Sequence, residues 1–414
     1  MKNTLLSLNS YHYRRGGSDA VFFDHQKLFQ EINWNTIPFT MHHPKNEPSE
    51  WDEYFADELE FGNNYSLPQK LIMASKVIYS WEAKAKLKKL IQHTRPNIAH
   101  AHCIYHHLSP SVLSLLKEES IPTVMTAHDL KIACPAYKML NKNGICENCK
   151  QGNFFHVVKN RCIHNSFITS SLVAVESATH RLLGLYKNNL DMIITPSQFY
   201  RDKLIEWGWD PNKLVYIPNF LHFDTYTPNF NAGNYFLYFG RLAPEKGVDT
   251  LIKAAVKTGV KLKLAGTGPY EQELRQLIPD DCKTIEFLGF CRGDNLWSLI
   301  QHAQAIVLPS QWYENAPISI LEAYASGKPV IGARIGGIPE MLKHEETGLL
   351  FEAGNVESLA DQIQAIQRMS NHQVVEMGRS GYHFATTTFT AKRYFDSICH
   401  LYKSLGAKFS NTYN

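Results

Sequence analysis

The sequence predicts an α/β protein built from two doubly wound parallel-sheet domains. Short apolar runs alternate with stretches of helical length through most of the 414 residues. The runs are apolar at successive positions, which is typical of strands buried on both faces of a sheet. One such series lies before about residue 220 and a second follows it. Because a chain of this length also exceeds one ordinary core, we expect two Rossmann-like domains.

The strand candidates are short apolar runs that end at glycine, proline or polar residues. They lie at residues 4–8, 98–102, 123–126, 192–195, 214–217, 235–239, 261–265, 285–288, 305–308 and 330–332. Helical patterns between them include residues 18–30, 249–258, 270–278 and 318–326. Because helices separate the strands, each strand can pair in parallel with a neighbour through a crossover connection.

A segment rich in proline and asparagine near residues 211–231 is the expected hinge between the two domains. We therefore place the N-terminal domain at residues 1–212 and the C-terminal domain at residues 213–386. Residues 387–414 carry a last helix, at 392–405, which we expect to pack back towards the N-terminal domain. Residues 131–165 lack periodicity and hold four of the eight cysteines, so they are expected to form an insertion in the first domain.

Composition excludes several classes of protein. The 42 basic and 39 acidic residues nearly balance, which does not suit a protein that mainly neutralises nucleic-acid phosphates. Eight cysteines are too few for a disulfide scaffold. There is no apolar run long enough to span a membrane and no signal-peptide pattern at the N-terminus. The expected location is the cytoplasm.

Two blocks of opposite charge stand close together in the first domain. Residues 47–60 carry acids and no base, whereas the stretch from Lys70 to Arg95 is rich in lysine and holds Glu82 as its one acid. A helix in the second block has an apolar side and a lysine-rich remainder. It is either a solvated surface helix or a helix that lies on an anionic membrane. The second alternative would hold the protein at the inner face of the membrane.

Two motifs in the second domain have chemistry suited to a phosphorylated sugar. Arg241 and Lys246 follow a strand, where open α/β sheets bind ligands, and their charges can hold phosphate oxygens. Glu314 precedes a predicted helix and Glu322 lies two turns inside it, so both carboxylates can accept hydrogen bonds from hydroxyl groups. Each motif taken alone also fits ordinary surface or capping residues.

Two weaker motifs belong to the first domain. Gly16 and Gly17 precede a predicted helix, where backbone N–H groups can approach a phosphate. His128 and Asp129 follow a strand, although a lone histidine is more often structural. The chain contains neither the G-x-G-x-x-G dinucleotide fingerprint nor a P-loop.

Taken together, these motifs resemble the retaining GT-B glycosyltransferases of family 4. The resemblance extends from about residue 14 to residue 352 and rests on six motifs in the expected order. They are Gly16 to Asp19, Thr126 to Asp129, Arg241 with Lys246, Glu314 with Glu322, and the segments 325–330 and 336–340. The resemblance implies a GT-B fold, in which two facing Rossmann-like domains enclose a cleft.

The resemblance also implies roles for individual residues. A nucleotide-diphospho-sugar would be bound by the second domain, where Arg241 and Lys246 neutralise the diphosphate. Glu322 would hold the ribose, and Glu314 the donor sugar. The backbone at Ile318 would meet phosphate, and Phe290 lies where the nucleotide base is contacted. In the first domain, Gly16 and Gly17 would approach the donor phosphates, and His128 would lie near the reacting sugar.

The mechanism implied by this family retains the anomeric configuration and uses no metal cofactor. The leaving diphosphate would accept the proton of the incoming hydroxyl group. Two positions depart from the family pattern: His222 stands where an Asp is usual, and Pro317 lacks an N–H that could meet phosphate. We carry no role over to His222.

The insertion presents a cysteine pattern of its own. Cys146 and Cys149 form a C-x-x-C pair, with Cys134 and Cys162 at nearly equal distances on either side. Four thiolates could make a structural zinc site. Reduced packing cysteines, or disulfides in an oxidising setting, are the alternatives.

The sequence therefore predicts a glycosyltransferase that moves a sugar from a nucleotide-diphosphate sugar to a hydroxyl group of a glycan or lipid-linked acceptor. The N-terminal domain would bind this acceptor, and surface polysaccharide synthesis is the expected context. A nucleotide-sugar epimerase or phosphorylase of the same fold is the first alternative. A sugar-binding module without turnover is the second.

Overall fold

The computed structural model describes residues 2–59 and 66–407, without the side chains of residues 67, 68, 70 and 71. The chain divides into two compact units. Unit 1 comprises Met1–Asn141, Cys146–Ile217 and Tyr394–Asn414, of which residues 1, 60–65 and 408–414 are outside the described part. Unit 2 comprises Lys142–Ile145 and Pro218–Arg393. The chain thus leaves unit 1 after Ile217 and returns to it at Tyr394.

The elements up to Ile217 alternate strands with helices. They are β1 (Thr4–Leu8), α1 (Gly17–Glu31), β2 (Asn35–Phe39), α2 (Leu67–Ile78), α3 (Trp81–Thr94), β3 (Ile98–Ala101), α4 (Ser111–Glu118), β4 (Thr123–Thr126), β5 (Leu140–Asn141), β6 (Gly144–Ile145), α5 (Phe155–Lys159), α6 (Phe167–Leu182), β7 (Met192–Thr195), α7 (Gln198–Glu206) and β8 (Leu214–Tyr216). Short 3₁₀ helices lie at Asp52–Tyr54, Lys150–Gly152 and Pro211–Lys213.

Unit 1 is built on a six-stranded parallel sheet of order β2-β1-β3-β4-β7-β8. β1, β3 and β4 are buried along their whole length. This explains why successive apolar residues revealed them in the sequence. β2 was not predicted: it is an edge strand and contains Pro38, which interrupts the apolar run and which only an edge strand tolerates.

The elements from Pro218 onwards repeat the alternation. They are β9 (Phe236–Phe239), α8 (Val248–Thr258), β10 (Leu262–Ala265), α9 (Glu271–Arg275), β11 (Ile285–Gly289), α10 (Gly293–Gln301), β12 (Ala305–Leu308), α11 (Ile318–Ala325), β13 (Val330–Ala333), α12 (Ile338–Met341), β14 (Gly348–Phe351), α13 (Val356–Arg368), α14 (Asn371–Thr388) and α15 (Ala391–Ser404). Further 3₁₀ helices lie at Phe223–Thr225 and Pro244–Lys246.

Unit 2 is built on a second six-stranded parallel sheet, of order β11-β10-β9-β12-β13-β14. One apolar core holds it together and includes buried residues of β9, α8, β12, α11 and α13. The sheet order confirms the predicted doubly wound α/β class. β14, which begins at Gly348 and forms the edge of the sheet, was not predicted.

The C-terminal helix α15 contributes to the core of unit 1 from Tyr394 onwards. The Tyr402 hydroxyl group lies 3.0 Å from Nε2 of His25 and 2.6 Å from Nδ1 of His100. The Tyr394 hydroxyl group lies 2.9 Å from Nδ1 of His25. All three hydrogen bonds are buried, so this helix is fastened to α1 and β3 by polar contacts as well as by apolar packing.

The acidic and basic blocks near the start of unit 1 partly neutralise each other. Lys86 lies 2.8 Å from Asp57 and 3.1 Å from Glu82, and Lys76 bonds to the same two acids. Lys84 pairs with Glu118 at 2.6 Å. α3 also buries its apolar side, through Ala83, Leu87, Leu90 and Ile91. The packing therefore favours a solvated surface helix for α3. The side chain of Lys70 and residue Glu60 lie outside the described part.

The predicted zinc site finds no support in the geometry. Within residues 2–59 and 66–407, no three His, Cys, Asp or Glu side chains come together to hold a metal ion. Burial raises the pKa of the Cys134 thiol to about 11, and burial together with the nearby thiols of Cys134, Cys162 and Cys146 raises that of Cys149 to about 12. None of these four cysteines carries a disulfide. The zinc site therefore has no support in the described residues and stays a prediction.

Candidate functional site

The loop after β9 is shaped by close contacts between backbones. Gly240 has a φ of 148°, which favours glycine. A Cβ atom on Gly266 would lie 1.8 Å from the Gly240 carbonyl oxygen, and one on Gly268 would lie 2.1 Å from that of Leu242. The glycines at 266 and 268 therefore support this loop from the neighbouring strand end. Close packing of the two backbones therefore requires glycine at positions 266 and 268.

Both predicted cations of this loop are paired with carboxylates. The Arg241 guanidinium donates to Glu245, which is buried, while the Arg241 side chain itself is 53% exposed. Lys246 Nζ lies 2.6 Å from Oε1 of Glu314 and 5.0 Å from the centre of the Trp312 ring. The structure thus brings Lys246 and Glu314 together, whereas Arg241 joins Glu245, a residue the sequence analysis did not select.

Glu314 is held as a buried carboxylate. Burial opposes its ionisation, but the Lys246 ammonium and the Ser310 hydroxyl group, which donates at 2.6 Å, hold the pKa of Glu314 below its usual value. A Cβ atom on Gly336 would lie 2.2 Å from the Glu314 carbonyl oxygen, and the Gly337 N–H donates to that oxygen at 2.8 Å. Segment 336–340 therefore fixes the backbone of Glu314. Ser310, two residues after the end of β12, is a site residue that the sequence analysis missed.

Glu322 lies inside α11, and burial raises the pKa of its carboxyl group to about 7. No hydrogen bond or ion pair is found for this carboxyl group in the described chain. It can therefore accept hydrogen bonds from a ligand without first losing a partner. α11 begins at Ile318 after Pro317, and the N–H groups of its first turn have no acceptor within the helix. Pro317 takes the N-cap position, outside that turn.

Phe290 follows β11 directly, and its side chain is 73% exposed. Such exposure is unusual for a large apolar ring. Among the described residues no aromatic or cation–π partner is found for this ring. Its backbone position at a strand end agrees with a ligand-facing loop.

The two glycines of unit 1 open α1. Gly16 is the N-cap residue, with an extended φ of −169° that any residue adopts, and a Cβ atom there would meet nothing within 4 Å. Neither strain nor packing therefore requires glycine at this position. α1 starts at Gly17, and both glycines are exposed, so the first N–H groups of the helix are accessible. Buried Asp19 holds the turn by accepting from Asn9 at 3.0 Å and Arg15 at 3.1 Å.

His128 follows β4 and meets a second histidine. Its Nε2 lies 2.9 Å from Nδ1 of His102, and the two rings stack with centroids 5.2 Å apart. Burial lowers the pKa of His128 to about 4 and that of His102 well below its usual value. Both imidazoles are therefore neutral near pH 7. His102 was not selected from the sequence, although histidines at the ends of neighbouring strands are a usable signal.

Comparisons with known proteins identify the family of the chain. Residues 39–224 match the family model of Glycosyltransferase Family 4, and residues 227–384 match that of Glycosyl transferases group 1. An uncharacterised glycosyltransferase of Methanocaldococcus jannaschii is 37% identical over 134 residues, which cover 30% of this chain and 33% of the relative.

Two further relatives match longer segments. A GDP-mannose-dependent phosphatidylinositol monomannoside mannosyltransferase of Mycobacterium tuberculosis is 26% identical over 54% of this chain and 63% of the relative. An uncharacterised protein in the cps region of Klebsiella pneumoniae is 25% identical over 82% and 87%. The matched segments cover 33% of the Methanocaldococcus relative and 63% of the Mycobacterium relative, so this chain spans less than two thirds of either protein.

Solved structures share the fold over nearly the whole chain. Sucrose-phosphate synthase from Thermosynechococcus elongatus has a TM-score of 0.73 at 19% identity and covers 98% of this chain and 99% of its own. Anabaena HepE in complex with UDP-glucose has a TM-score of 0.66 at 18% identity, with coverage of 97% and 99%. At these identities the likeness establishes the fold.

Proposed function

We propose, since the chain belongs to the GT-B glycosyltransferases similar to family 4, that it transfers a sugar from a nucleotide-diphosphate sugar to a hydroxyl group of a glycan or lipid-linked acceptor. The observation that carries this proposal is the pairing of Lys246 with buried Glu314 beside the loop of Arg241. Two cations and an oriented carboxylate after a strand support this proposal, because α/β sheets bind ligands at the carboxyl ends of their strands.

The cations of this loop have the chemistry that departure of a diphosphate requires. As the bond to the sugar breaks, negative charge develops on the leaving phosphate, and cations already in place stabilise it without reorganising. Arg241 offers an exposed guanidinium that can turn from Glu245 to two phosphate oxygens. Lys246 is anchored through Glu314, which fixes the position of its charge.

The remaining residues of unit 2 are assigned to the rest of the donor. Glu322 would accept hydrogen bonds from the ribose hydroxyl groups, because its carboxyl group has no protein partner in the part of the chain that is described. Glu314 would contact the donor sugar through the oxygen that Lys246 does not hold. The first turn of α11 at Ile318 would meet phosphate, and the backbone at Phe290 the base.

Unit 1 is assigned the acceptor and the reacting sugar. The open space beside Gly16 and the accessible N–H groups of Gly17 and its successors suit a phosphate at the start of α1. Neutral His128 can exchange hydrogen bonds with sugar hydroxyl groups without adding charge. We propose that transfer retains the anomeric configuration, that the leaving phosphate accepts the acceptor's proton, and that no metal cofactor takes part.

The context that we propose is surface polysaccharide synthesis at the inner face of the membrane. Its support is the relative in the cps region of Klebsiella pneumoniae and the mycobacterial relative, which is a phosphatidylinositol monomannoside mannosyltransferase. No helix in the described chain is long and apolar enough to cross a bilayer. Between Lys70 and Arg95, the exposed Lys88 and Lys89 support membrane contact, while the pairing of Lys76, Lys84 and Lys86 with acids weakens it.

A thermal-shift screen of nucleotide-diphosphate sugars tests the proposal and identifies the donor, because a ligand stabilises the folded protein according to its affinity. With that donor, Arg241→Ala should lower transfer by about a hundredfold or more while the protein stays folded. Its melting temperature should fall, because buried Glu245 loses the Arg241 guanidinium as its partner. The matched control is Arg275→Ala, since Arg275 is also exposed and paired with a glutamate four residues away.

Three outcomes would contradict the proposal. Equal transfer by the Arg241 and Arg275 variants would show that Arg241 does not stabilise the leaving phosphate. Donor binding without any turnover would favour a sugar-binding module. Conversion of the free nucleotide sugar, or cleavage of a glycan by phosphate, would favour an epimerase or a phosphorylase.

A further inference from the structure

Helix α6 of unit 1 has its polar and apolar sides reversed. Surface helices normally bury an apolar stripe and expose polar residues. In α6, the residues facing the interior are Ser170, Val173, Glu176 and His180. The outward residues Ile168, Val175 and Leu182 are 79%, 54% and 86% exposed. They are spaced seven residues apart, so they form one stripe on the side opposite the buried positions. We call it the α6 stripe.

Buried polar contacts hold α6 in this orientation. Glu176 pairs with buried Lys131 at 2.9 Å, and its other oxygen lies 3.1 Å from His106. His180 lies 2.7 Å from the Ile78 carbonyl oxygen, and the Ser170 hydroxyl group accepts from the Ile163 N–H at 3.1 Å. Rotating the helix to bury the stripe would break the buried Lys131–Glu176 pair, which is costly. The buried polar contacts of α6 therefore keep the α6 stripe exposed.

The surroundings of the α6 stripe are apolar and basic. Phe167 and Leu183, next to the stripe in the sequence, are 62% and 54% exposed, and Phe155, in the helix α5 that packs against α6, is 68% exposed. Between Glu147 and Asp191 the only acidic residue is Glu176, which is buried and paired. The exposed charged residues of this segment are Lys159, Arg161, Arg181 and Lys187. Apolar side chains flanked by cations without exposed acids are typical of surfaces that bind anionic lipids.

We propose that the α6 stripe, with its flanking phenylalanines and cations, docks unit 1 on an anionic bilayer surface. This inference deepens the peripheral membrane contact of the proposed function and assigns it to α5 and α6. α3 is the weaker candidate because its apolar side is buried and several of its lysines are paired with acids. A second copy of the chain is disfavoured as the occupant, because two such surfaces would bring like charges together.

Pelleting with vesicles tests this surface without donor or acceptor, so its failure is distinct from failure of the transfer proposal. We expect the protein to pellet with phosphatidylcholine vesicles that contain phosphatidylglycerol, and to pellet less with pure phosphatidylcholine. The variant Ile168→Ser, Val175→Ser, Leu182→Ser should lower the bound fraction at least about tenfold. Its fold should persist, because all three side chains are exposed.

The competing surface on α3 is tested by Lys88→Glu with Lys89→Glu, which reverses its exposed charges; because the α6 stripe is the proposed docking surface, vesicle binding should stay within about twofold. Three results would overturn the proposal. One is binding by the serine variant equal to that of the wild type. Another is loss of binding in the α3 variant alone. The third is a wild-type dimer, measured by light scattering without vesicles, that the serine variant converts to monomer.

Discussion

The candidate site of unit 2 contains an ion pair, whereas that of unit 1 contains a pair of neutral imidazoles. In unit 2, Lys246 and Glu314 form an ion pair at 2.6 Å, and the Lys246 ammonium helps to hold the pKa of buried Glu314 below its usual value. In unit 1, His128 and His102 meet as neutral rings, because burial lowers the pKa of both. Fixed charge suits a site that stabilises a leaving diphosphate. Neutral hydrogen-bonding groups suit a site that positions uncharged hydroxyl groups.

The largest effect that we expect comes from breaking the charged pair. Lys246→Met should lower transfer about a thousandfold, because one of the two cations for the diphosphate is lost. It should also lower the free energy of unfolding by about 3–5 kcal/mol, because Glu314 would remain buried without a counter-charge. Steady-state transfer and denaturant unfolding measure the two effects.

A double variant separates catalysis from stability. Lys246→Met combined with Glu314→Gln removes both charges, so most of the lost stability should return while transfer stays low. If the double variant regains transfer, the pair has only a structural role and the charged site of unit 2 is misassigned.

The next largest effect is a loss of stability in acid that is confined to unit 1. His25, His100 and His102 have folded pKa values well below 6.5, and burial lowers the pKa of His128 to about 4. The unfolded chain binds protons at these positions near pH 6.5, whereas the folded unit does not. Stability is therefore full above pH 6.5 and falls as the pH drops, by about 2 kcal/mol per imidazole at pH 5.

Hydrogen exchange followed by mass spectrometry measures the stability of each unit separately. After correction for the intrinsic exchange rate, peptides of β1 and β3 should lose protection between pH 7 and pH 5. Peptides of β9 and β12 should keep theirs. Equal loss of protection in both units would show that the buried imidazoles do not determine the acid response.

A smaller effect is expected at the neutral site itself. His128→Asn should lower transfer about a hundredfold, while donor binding measured by calorimetry stays within about threefold, because unit 2 is assigned the diphosphate. Exposed His93, in α3, provides the control His93→Asn, which should behave as the wild type. A large loss of donor affinity in the His128 variant would contradict this division between the units.

The fold was largely predictable because the central strands of each sheet are buried on both sides. β9 and β12 are continuous apolar runs, and β1 and β4 are apolar apart from serine and threonine; all four were found at nearly their observed bounds. Four strands were missed: β5 and β6 have two residues each, and β2 and β14 are edge strands, where Pro38 or Gly348 interrupts the pattern. Edge positions relax the requirement for apolar residues and backbone donors, so the sequence signal weakens there.

The strand-end positions of the candidate residues could be predicted, whereas their pairings could not. Arg241, Lys246 and His128 were selected because they follow strands, and the carboxyl ends of parallel strands face ligands; their roles stay predictions. Their partners Glu245, Ser310 and His102 depend on loop shapes and ring orientations that spacing does not encode. The zinc prediction stays without support, because no three metal-ligating side chains of the described residues form a site.

The smallest effect concerns Glu322, whose response to pH is opposite to that of the imidazoles. Burial raises the pKa of Glu322 to about 7, so the folded protein binds this proton more tightly than the unfolded chain. The contribution to stability is therefore present at low pH and is lost as the pH rises through 7. Glu322→Gln should raise the free energy of unfolding by about 1–3 kcal/mol at pH 8 and leave it unchanged at pH 4.

The variant Glu322→Gln should gain stability at pH 8 but bind the donor more weakly. At pH 8 the Glu322 carboxylate is ionised and accepts ribose hydroxyl groups, so wild-type donor affinity should fall as the pH is lowered through 7. Glu322→Gln should bind the donor about tenfold more weakly at pH 8 and lose that dependence on pH. Calorimetry at pH 6 and pH 8 measures both, with exposed Glu376→Gln as the control. If Glu322→Gln is more stable at pH 8 but binds the donor as tightly as the wild type, the Glu322 carboxylate does not bind the ribose.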